Sequence, residues 1–162
     1  MKSKSVQHLE SIKVNDEYGT PHFLFLENCL KFDCSPAVDY FASDKNHVLD
    51  KYYTKKDDAF KREWYHNGFC NFPYSMMEKC LKKAWEEHEK YGIEIMILCY
   101  AKTDTKWWHE YVEGKAEYHF QKGRIKFLDG QGNLTKNSSP YPSVWIIIRG
   151  KNATGYRPLC MW

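Results

Sequence analysis

The stretch GFCNFPYSMMEKCLKKAWEEHEKYGIEIMILCY, residues 68–100, contains the pattern that decides the fold. Gly68–Asn71 has the composition of a short buried strand, and a Ser-x-x-Glu capping box at Ser75 predicts a helix that ends at about Tyr91. Ile93–Tyr100 is almost continuously apolar, which is typical of a strand covered on both faces. Strand, helix and buried strand in this order predict an α/β fold with a mainly parallel sheet and helices on both faces.

Further elements are expected on both sides of this unit. Thr20-Pro21 offers a hydroxyl for the N-cap and a proline for the first turn, which predicts a helix over His22–Leu30. The other predicted elements are strands at Ala37–Ala42, Tyr52–Thr54, Ala116–Phe120, Arg124–Phe127 and Val144–Arg149, and a helix at Thr103–Val112. A loop rich in Gly, Asn, Ser and Pro, Asp129–Pro142, joins the last two strands.

The length of 162 residues is that of one domain, and no internal repeat or long linker divides it. We expect a polar lead-in over residues 1–16, a minimal single domain over 17–150 and a tail over 151–162. The net charge of +3, from 24 basic and 21 acidic residues, is too balanced to indicate nucleic-acid binding by itself. Any contact with DNA would therefore come from local basic patches.

Cysteine and histidine usage favours a reduced compartment without metal. The six cysteines are scattered without a Cys-x-x-Cys pair, and the seven histidines lack metal-ligand spacing, so neither disulfides nor a metal site are expected. Residues 1–10 lack the apolar core of a signal peptide, and no apolar segment is long enough to span a membrane. These features predict a cytoplasmic protein that does not contact membranes.

Chemistry is expected at the tetrapeptide Asn71-Phe72-Pro73-Tyr74, because ligands of parallel sheets bind beyond the carboxyl ends of the strands. Asn71 offers a side-chain carbonyl, and Pro73 biases Phe72 away from helical angles and so helps to turn its carbonyl outward. Tyr74 offers a ring for stacking. Two acceptors and an aromatic ring suit a planar amine such as the N6 amine of adenine. Its hydrogens would be drawn to Asn71 and Phe72, so that its lone pair is directed at a methyl donor.

The tetrapeptide has other interpretations. A proline turn between a strand and a helix, with Tyr74 in the core, needs no function at all. The amines of cytosine N4, RNA adenine and protein glutamine are also planar, so the motif does not separate these acceptors from adenine in DNA.

Beyond the tetrapeptide, the chain resembles the phage-type DNA N6-adenine methyltransferase (Dam-like) family over most of residues 17–149. Six blocks in the family's order carry the resemblance. They are Tyr18-Gly19-Thr20-Pro21; Asp39-Tyr40-Phe41-Ala42 with Asn46; Tyr53-Thr54 with Asp57-Asp58 and Trp64; Asn71–Ser75; Thr103–His109; and Lys122–Phe127. The resemblance implies a Rossmann-like S-adenosylmethionine-dependent methyltransferase fold, S-adenosylmethionine as the cofactor, and transfer of its methyl group to the N6 amine of a flipped adenine in DNA. For a phage-encoded chain the resemblance also implies that the protein acts in the cytoplasm of the host.

The same resemblance implies which residues would border the cofactor. They are Thr20, Pro21, Asp39, Phe41, Ala42 and Asp58. Asp57 competes with Asp58 for the adenosine part, and both Asp39 and Asp58 also fit a structural role in a loop. The family usually has proline where Phe72 stands, which would make the turn less rigid and add bulk beside the base. The Gly-rich loop of larger methyltransferases is absent at Asp39.

DNA contacts are expected from a basic strand face formed by Lys122, Arg124 and Lys126, and from stacking by Trp107. An ordinary solvated face would have the same charges, and one of Trp107 and Trp108 is expected in the core. A degenerate methyltransferase fold that only binds nucleic acid is the remaining alternative, since Phe72 departs from the family. We expect a monomer or a weak homodimer.

Overall fold

The computed structural model describes residues 17–151, so the predicted lead-in and the tail beyond Lys151 lie outside the described residues. Within these residues three α-helices, two 3-10 turns and five strands follow one another. They are α1 (His22–Phe32), β1 (Val38–Asp39), a 3-10 turn (Ala59–Lys61), β2 (Gly68–Cys70), a 3-10 turn (Tyr74–Met76), α2 (Met77–Tyr91), β3 (Ile95–Tyr100), α3 (Lys106–Tyr111), β4 (Glu117–Phe120) and β5 (Ser143–Ile148).

The five strands form one sheet in the order β1-β2-β3-β5-β4. β1, β2 and β3 are parallel neighbours, whereas β5 runs antiparallel to both β3 and β4. All strands except β5 therefore point the same way, and the prediction of a mainly parallel sheet is confirmed in this sense. The carboxyl ends of β1 and β2 place Asp39 and Asn71 at the same edge of the sheet.

Helices cover both faces of the sheet, as the buried strand β3 predicts. All six residues of β3 are buried. Ile95, Ile97 and Cys99 pack with Leu81 and other residues of α2 in one core cluster. Met96 and Leu98 point to the opposite face, where they pack with residues of α1. The alternation of side chains along β3 thus supplies both halves of the core.

Several predicted boundaries and one predicted strand differ from the structure. The helix predicted at Thr103–Val112 is Lys106–Tyr111, and the strand predicted at Ala37–Ala42 is limited to Val38–Asp39. Pro21, not Thr20, occupies the N-cap of α1, and α1 continues to Phe32. The α-helix predicted to start at Ser75 begins at Met77, because the chain first makes a 3-10 turn. The predicted strand at Tyr52 reduces to a single parallel bridge with Asp39.

The strand predicted at Arg124–Phe127 is absent from the described structure. Ile125 and Phe127 are buried and the basic residues are exposed, so the alternation that suggested a strand is present. Its carbonyls bond instead to loop residues: Ser139 N donates to Ile125 O, and Thr135 N donates to Phe127 O. A strand needs a continuous neighbouring strand, and here the neighbour is an irregular loop.

Candidate functional site

A cavity of about 720 Å³ lies at the carboxyl ends of β1 and β2. Seven of the residues predicted to bind cofactor or substrate line it together. They are Thr20, Asp39, Phe41, Ala42, Asp58, Asn71 and Pro73. These residues come from four separate parts of the chain. The fold therefore brings residues that are distant in sequence to the wall of one cavity.

Asn71 is held in one orientation by its amide nitrogen. Its Nδ2 donates to Tyr18 O at 3.0 Å and to Thr20 Oγ1 at 3.2 Å. Since a backbone carbonyl only accepts, the nitrogen must face Tyr18 and the side-chain oxygen must face away from it. The Tyr74 hydroxyl donates to Asn71 Oδ1 at 3.3 Å, a long bond that uses one of two lone pairs. Asn71 therefore presents an acceptor in the cavity wall.

Tyr74 lies beside this acceptor with its ring packed on another tyrosine. The rings of Tyr74 and Tyr100 are stacked, with centroids 3.8 Å apart and planes at 22°. Tyr74 is half-buried and contacts both core clusters. Its side chain is outside the lining of the cavity, and Tyr100, which sequence analysis missed, is its support. Only the position of Tyr100 at the end of an apolar strand could have indicated this contact.

The Phe72 ring points into the core. It is 2% exposed and meets Phe41 edge-on, with centroids 4.9 Å apart and planes at 84°. The expectation that Phe72 adds bulk beside the bound base is therefore wrong. The ring fills the first core cluster, where it packs beneath the wall of the cavity.

Asp39 is a buried residue that lines the cavity. Its Oδ2 accepts from Val48 N at 3.1 Å, and its Oδ1 is buried without a hydrogen-bond partner among the described residues. Burial raises the pKa of Asp39 from 3.8 to about 6, although the backbone hydrogen bond from Val48 opposes this shift. A buried acceptor without a partner is costly, so a donor that reached Oδ1 would stabilise the carboxylate.

Asn46 contributes a second buried acceptor of the same kind. Its Nδ2 donates to Asp129 O at 2.7 Å, while its Oδ1 has no partner among residues 17–151. Asn46 also lines the cavity. Gly19 packs directly against it, and a Cβ at Gly19 would lie 2.4 Å from Asn46 Cγ. The family-like blocks contained both residues, but only the structure shows that Gly19 makes room for the Asn46 side chain.

The structure separates the two competing acids Asp57 and Asp58. Asp57 Oδ2 accepts from the backbone and the hydroxyl of Thr54, both at 2.8 Å, and these bonds lower the pKa of Asp57. Asp57 does not line the cavity, whereas Asp58 does. Asp58 has a left-handed backbone with φ of 51°, and its Oδ1 accepts from Phe60 N at 3.3 Å. Of the two acids, Asp58 is thus the one in the cavity wall, where its Oδ2 also pairs with the Lys61 ammonium at 3.2 Å.

Pro21 and the predicted DNA-binding residues lie outside the cavity lining. Pro21 is buried at the start of α1, and its carbonyl accepts from Phe25 N. Trp107 is half-buried against the first core cluster, and Trp108 is in that cluster, as expected for one of the pair. The remaining three predicted contacts, Lys122, Arg124 and Lys126, are exposed.

Within residues 17–151 no group of three or more His, Cys, Asp or Glu side chains could hold a metal ion. No helix in this part of the chain is long and apolar enough to cross a membrane. Five cysteines in the described residues are free thiols, and burial raises the pKa of Cys70 and Cys99 well above the ordinary value.

Asp39 and the Asn71–Tyr74 turn lie at the carboxyl ends of adjacent parallel strands, which is where α/β sheets bind their ligands. A model of the family described as DNA N-6-adenine-methyltransferase (Dam) matches residues 8–157, and the chain belongs to this family. A protein named DNA N-6-adenine-methyltransferase, from Escherichia phage T1, is 28% identical over 156 residues. That alignment covers 84% of this chain and 63% of the phage protein, so the chain spans less than two thirds of this relative.

Proposed function

We propose that the protein transfers a methyl group from S-adenosylmethionine to the N6 amine of adenine in DNA. The observation that carries the proposal is the position of Asn71 in one cavity with Asp39, with its amide nitrogen bonded to Tyr18 O and Thr20 Oγ1. Family membership supports the same reaction. The fold is then a minimal Rossmann-like methyltransferase domain over residues 17–150.

The cavity fits S-adenosylmethionine by the chemistry of its donors and acceptors. The cofactor carries an ammonium group, and Asp39 Oδ1 and Asn46 Oδ1 are buried acceptors without partners in the described structure. Thr20, Phe41 and Ala42 would line the rest of the site, and Asp58 would accept from the adenosine part. When bound, the cofactor supplies an electrophilic methyl group on a positively charged sulfur.

Asn71, Phe72 and Tyr74 would act on the adenine. Asn71 Oδ1 and the Phe72 carbonyl accept hydrogen bonds from the two N6 hydrogens, which orients the nitrogen lone pair toward the cofactor site. The Tyr74 ring, supported by Tyr100, stacks on the flipped base and offsets part of the few kcal/mol that flipping costs. The N–C bond would form as the carbon–sulfur bond of the cofactor breaks and leaves a neutral thioether, and the methylated nitrogen would then release one proton to solvent. Pro73 keeps the turn in the extended geometry that aims the Phe72 carbonyl.

The test is a transfer assay with labelled S-adenosylmethionine and unmethylated DNA, followed by digestion to nucleosides. We expect label in N6-methyladenine, and Asn71→Ala should abolish it while Asn137→Ala, at an exposed loop asparagine, should leave it unchanged. Circular dichroism and thermal unfolding establish that both variants are folded. Label in N4-methylcytosine, RNA or protein glutamine, offered in the same assay, would instead assign another planar amine.

A nucleic-acid-binding module without activity is the non-enzymatic alternative, and Phe72 was its motivation. The burial of the Phe72 ring beneath the cavity removes the steric reason for inactivity. Calorimetric titration with S-adenosylmethionine separates the two: the enzyme binds the cofactor, and a degenerate module does not. We also propose that the protein acts as a monomer or weak homodimer in the cytoplasm. For a phage-encoded chain this is the cytoplasm of the host.

A further inference from the structure

A row of three tyrosines leads from the Asn71–Tyr74 turn to the surface. Tyr74 stacks on Tyr100, and the Tyr100 ring meets Tyr141 with centroids 5.1 Å apart. Tyr141 is 40% exposed, and the Lys102 ammonium lies 4.7 Å from the centre of its ring. The outer end of the row therefore combines an exposed ring with a positive charge.

The segment that carries Tyr141 is fixed in place by hydrogen bonds. Ser139, which is buried, donates from Oγ to Tyr141 O at 3.0 Å and accepts from Tyr141 N at 3.3 Å. Ala101 N donates to Pro142 O at 2.8 Å, which joins the segment to the end of β3. An aromatic side chain presented on such a fixed backbone can stack on a partner without a large entropic cost.

Two cations flank the segment. Lys102 lies against Tyr141, and the Arg124 guanidinium donates to Pro140 O. Neither Lys102 nor Arg124 forms an ion pair with an acid among residues 17–151, so both charges are available to a partner. By contrast, Lys106, on the neighbouring helix α3, pairs with Glu78 and Glu110. The cations therefore favour an anionic partner at Tyr141.

We infer that Tyr141 and Lys102 form a DNA contact site for the strand that carries the flipped adenine, with Arg124 on its flank. Tyr141 stacks on an unstacked base next to the target, and Lys102 moves from the ring to a backbone phosphate. Proteins that bind single-stranded nucleic acid combine aromatic rings, which stack on the bases, with cations, which contact the phosphates. The inference rests on the proposed function for its orientation relative to the target base.

The test measures DNA binding without cofactor, by fluorescence anisotropy with an adenine-containing oligonucleotide in single-stranded and duplex form. We expect Tyr141→Ala to weaken binding of the single strand about tenfold. We expect Lys102→Gln to lower the slope of log affinity against log salt by about 0.7 on the single strand. Neither variant should change the melting temperature or the affinity for S-adenosylmethionine.

A tyrosine and a lysine that serve as controls lie at the opposite end of the sheet, where both side chains contact Glu63 and the lysine charge is therefore paired. Tyr65 is 59% exposed and packs on Tyr91, and Lys90 lies 5.1 Å from the Tyr91 ring. Tyr65→Ala and Lys90→Gln should change the affinity for DNA by no more than about twofold. Loss of a stacking contact is expected to lower that affinity by much more. Equal DNA affinity of Tyr141→Ala and Tyr65→Ala, or no DNA binding by the wild type, would overturn the inference. Weakened binding by the Tyr141 and Lys102 variants in a protein that methylates no adenine would support this site and overturn the proposed function.

Discussion

Asn71 Nδ2 lies 3.2 Å from Thr20 Oγ1, although the two residues are 51 positions apart in the chain. The sequence suggested that the Thr20 hydroxyl would cap α1, but that helix has no side-chain cap and the hydroxyl accepts from Asn71 instead. Thr20 thus helps to set the orientation of the amide whose oxygen we propose accepts from the substrate amine.

Replacing Thr20 by valine should lower kcat about tenfold, since loss of a hydrogen bond to a positioned group costs ~1 kcal/mol or more. Thr20→Ser should restore most of the rate, because it retains the hydroxyl. Steady-state kinetics on DNA measure this, with Thr135→Val as the control at a loop threonine. A valine variant with wild-type kcat would mean that Tyr18 O alone fixes Asn71.

Asp39→Asn should weaken binding of S-adenosylmethionine at least tenfold while making the free protein more stable at pH 7. The pKa of Asp39 is raised to about 6, so its contribution to stability is full below about pH 4 and is lost as pH rises through 6. Ionising such a buried carboxyl costs roughly 3 kcal/mol, which an amide of the same shape avoids. Thermal unfolding from pH 4 to 8 should show the two proteins diverging as pH rises.

The cofactor should reverse this pH dependence. An ammonium beside Asp39 favours the carboxylate, so the affinity of the wild type should rise as pH increases through about 6 and that of Asp39→Asn should stay flat. Calorimetric titrations across that range measure both. Parallel pH profiles for the two proteins would contradict a contact between Asp39 and the cofactor.

The sequence pattern was sufficient for the central unit of the fold. The run Ile93–Tyr100 predicted a strand buried on both sides, and β3 is fully buried. The strand prediction for Arg124–Phe127 is wrong because alternation indicates which side chains are buried. It does not indicate which backbone segment lies alongside. The neighbours of this segment are loop residues that no local pattern specifies.

The sequence predicted the motifs of the site but not how their side chains are arranged in space. Asn71 and Asp39 could be placed at strand ends, and the structure brings both to one cavity. The Phe72 ring direction, the stacking of Tyr74 on Tyr100 and the contact of Gly19 with Asn46 depend on long-range packing. Neither a motif nor its spacing contains that information.

Gly19→Ala should destabilise the protein by about 1–3 kcal/mol, because the new Cβ would lie 2.4 Å from Asn46 Cγ and displace that side chain. Displacement would also break the bond from Asn46 Nδ2 to Asp129 O. Gly130→Ala is the matched control, since its Cβ would meet only Glu17 Oε2 at 3.5 Å. Chemical denaturation of both variants measures the difference, and equal stabilities would contradict the close packing at Gly19.

Phe72→Pro should lower stability by about 3–5 kcal/mol, even though proline is the residue typical of the family-like motif. The Phe72 ring is 2% exposed and packs edge-on against Phe41, so its removal leaves a void in the first core cluster. Phe72→Leu should retain most of the stability because it fills more of that volume. The backbone carbonyl survives in both variants, so kcat per folded molecule should remain near that of the wild type. Denaturation midpoints combined with kcat at low temperature measure the two effects separately. A stable but inactive Phe72→Pro protein would show instead that the ring itself positions the Asn71–Tyr74 turn.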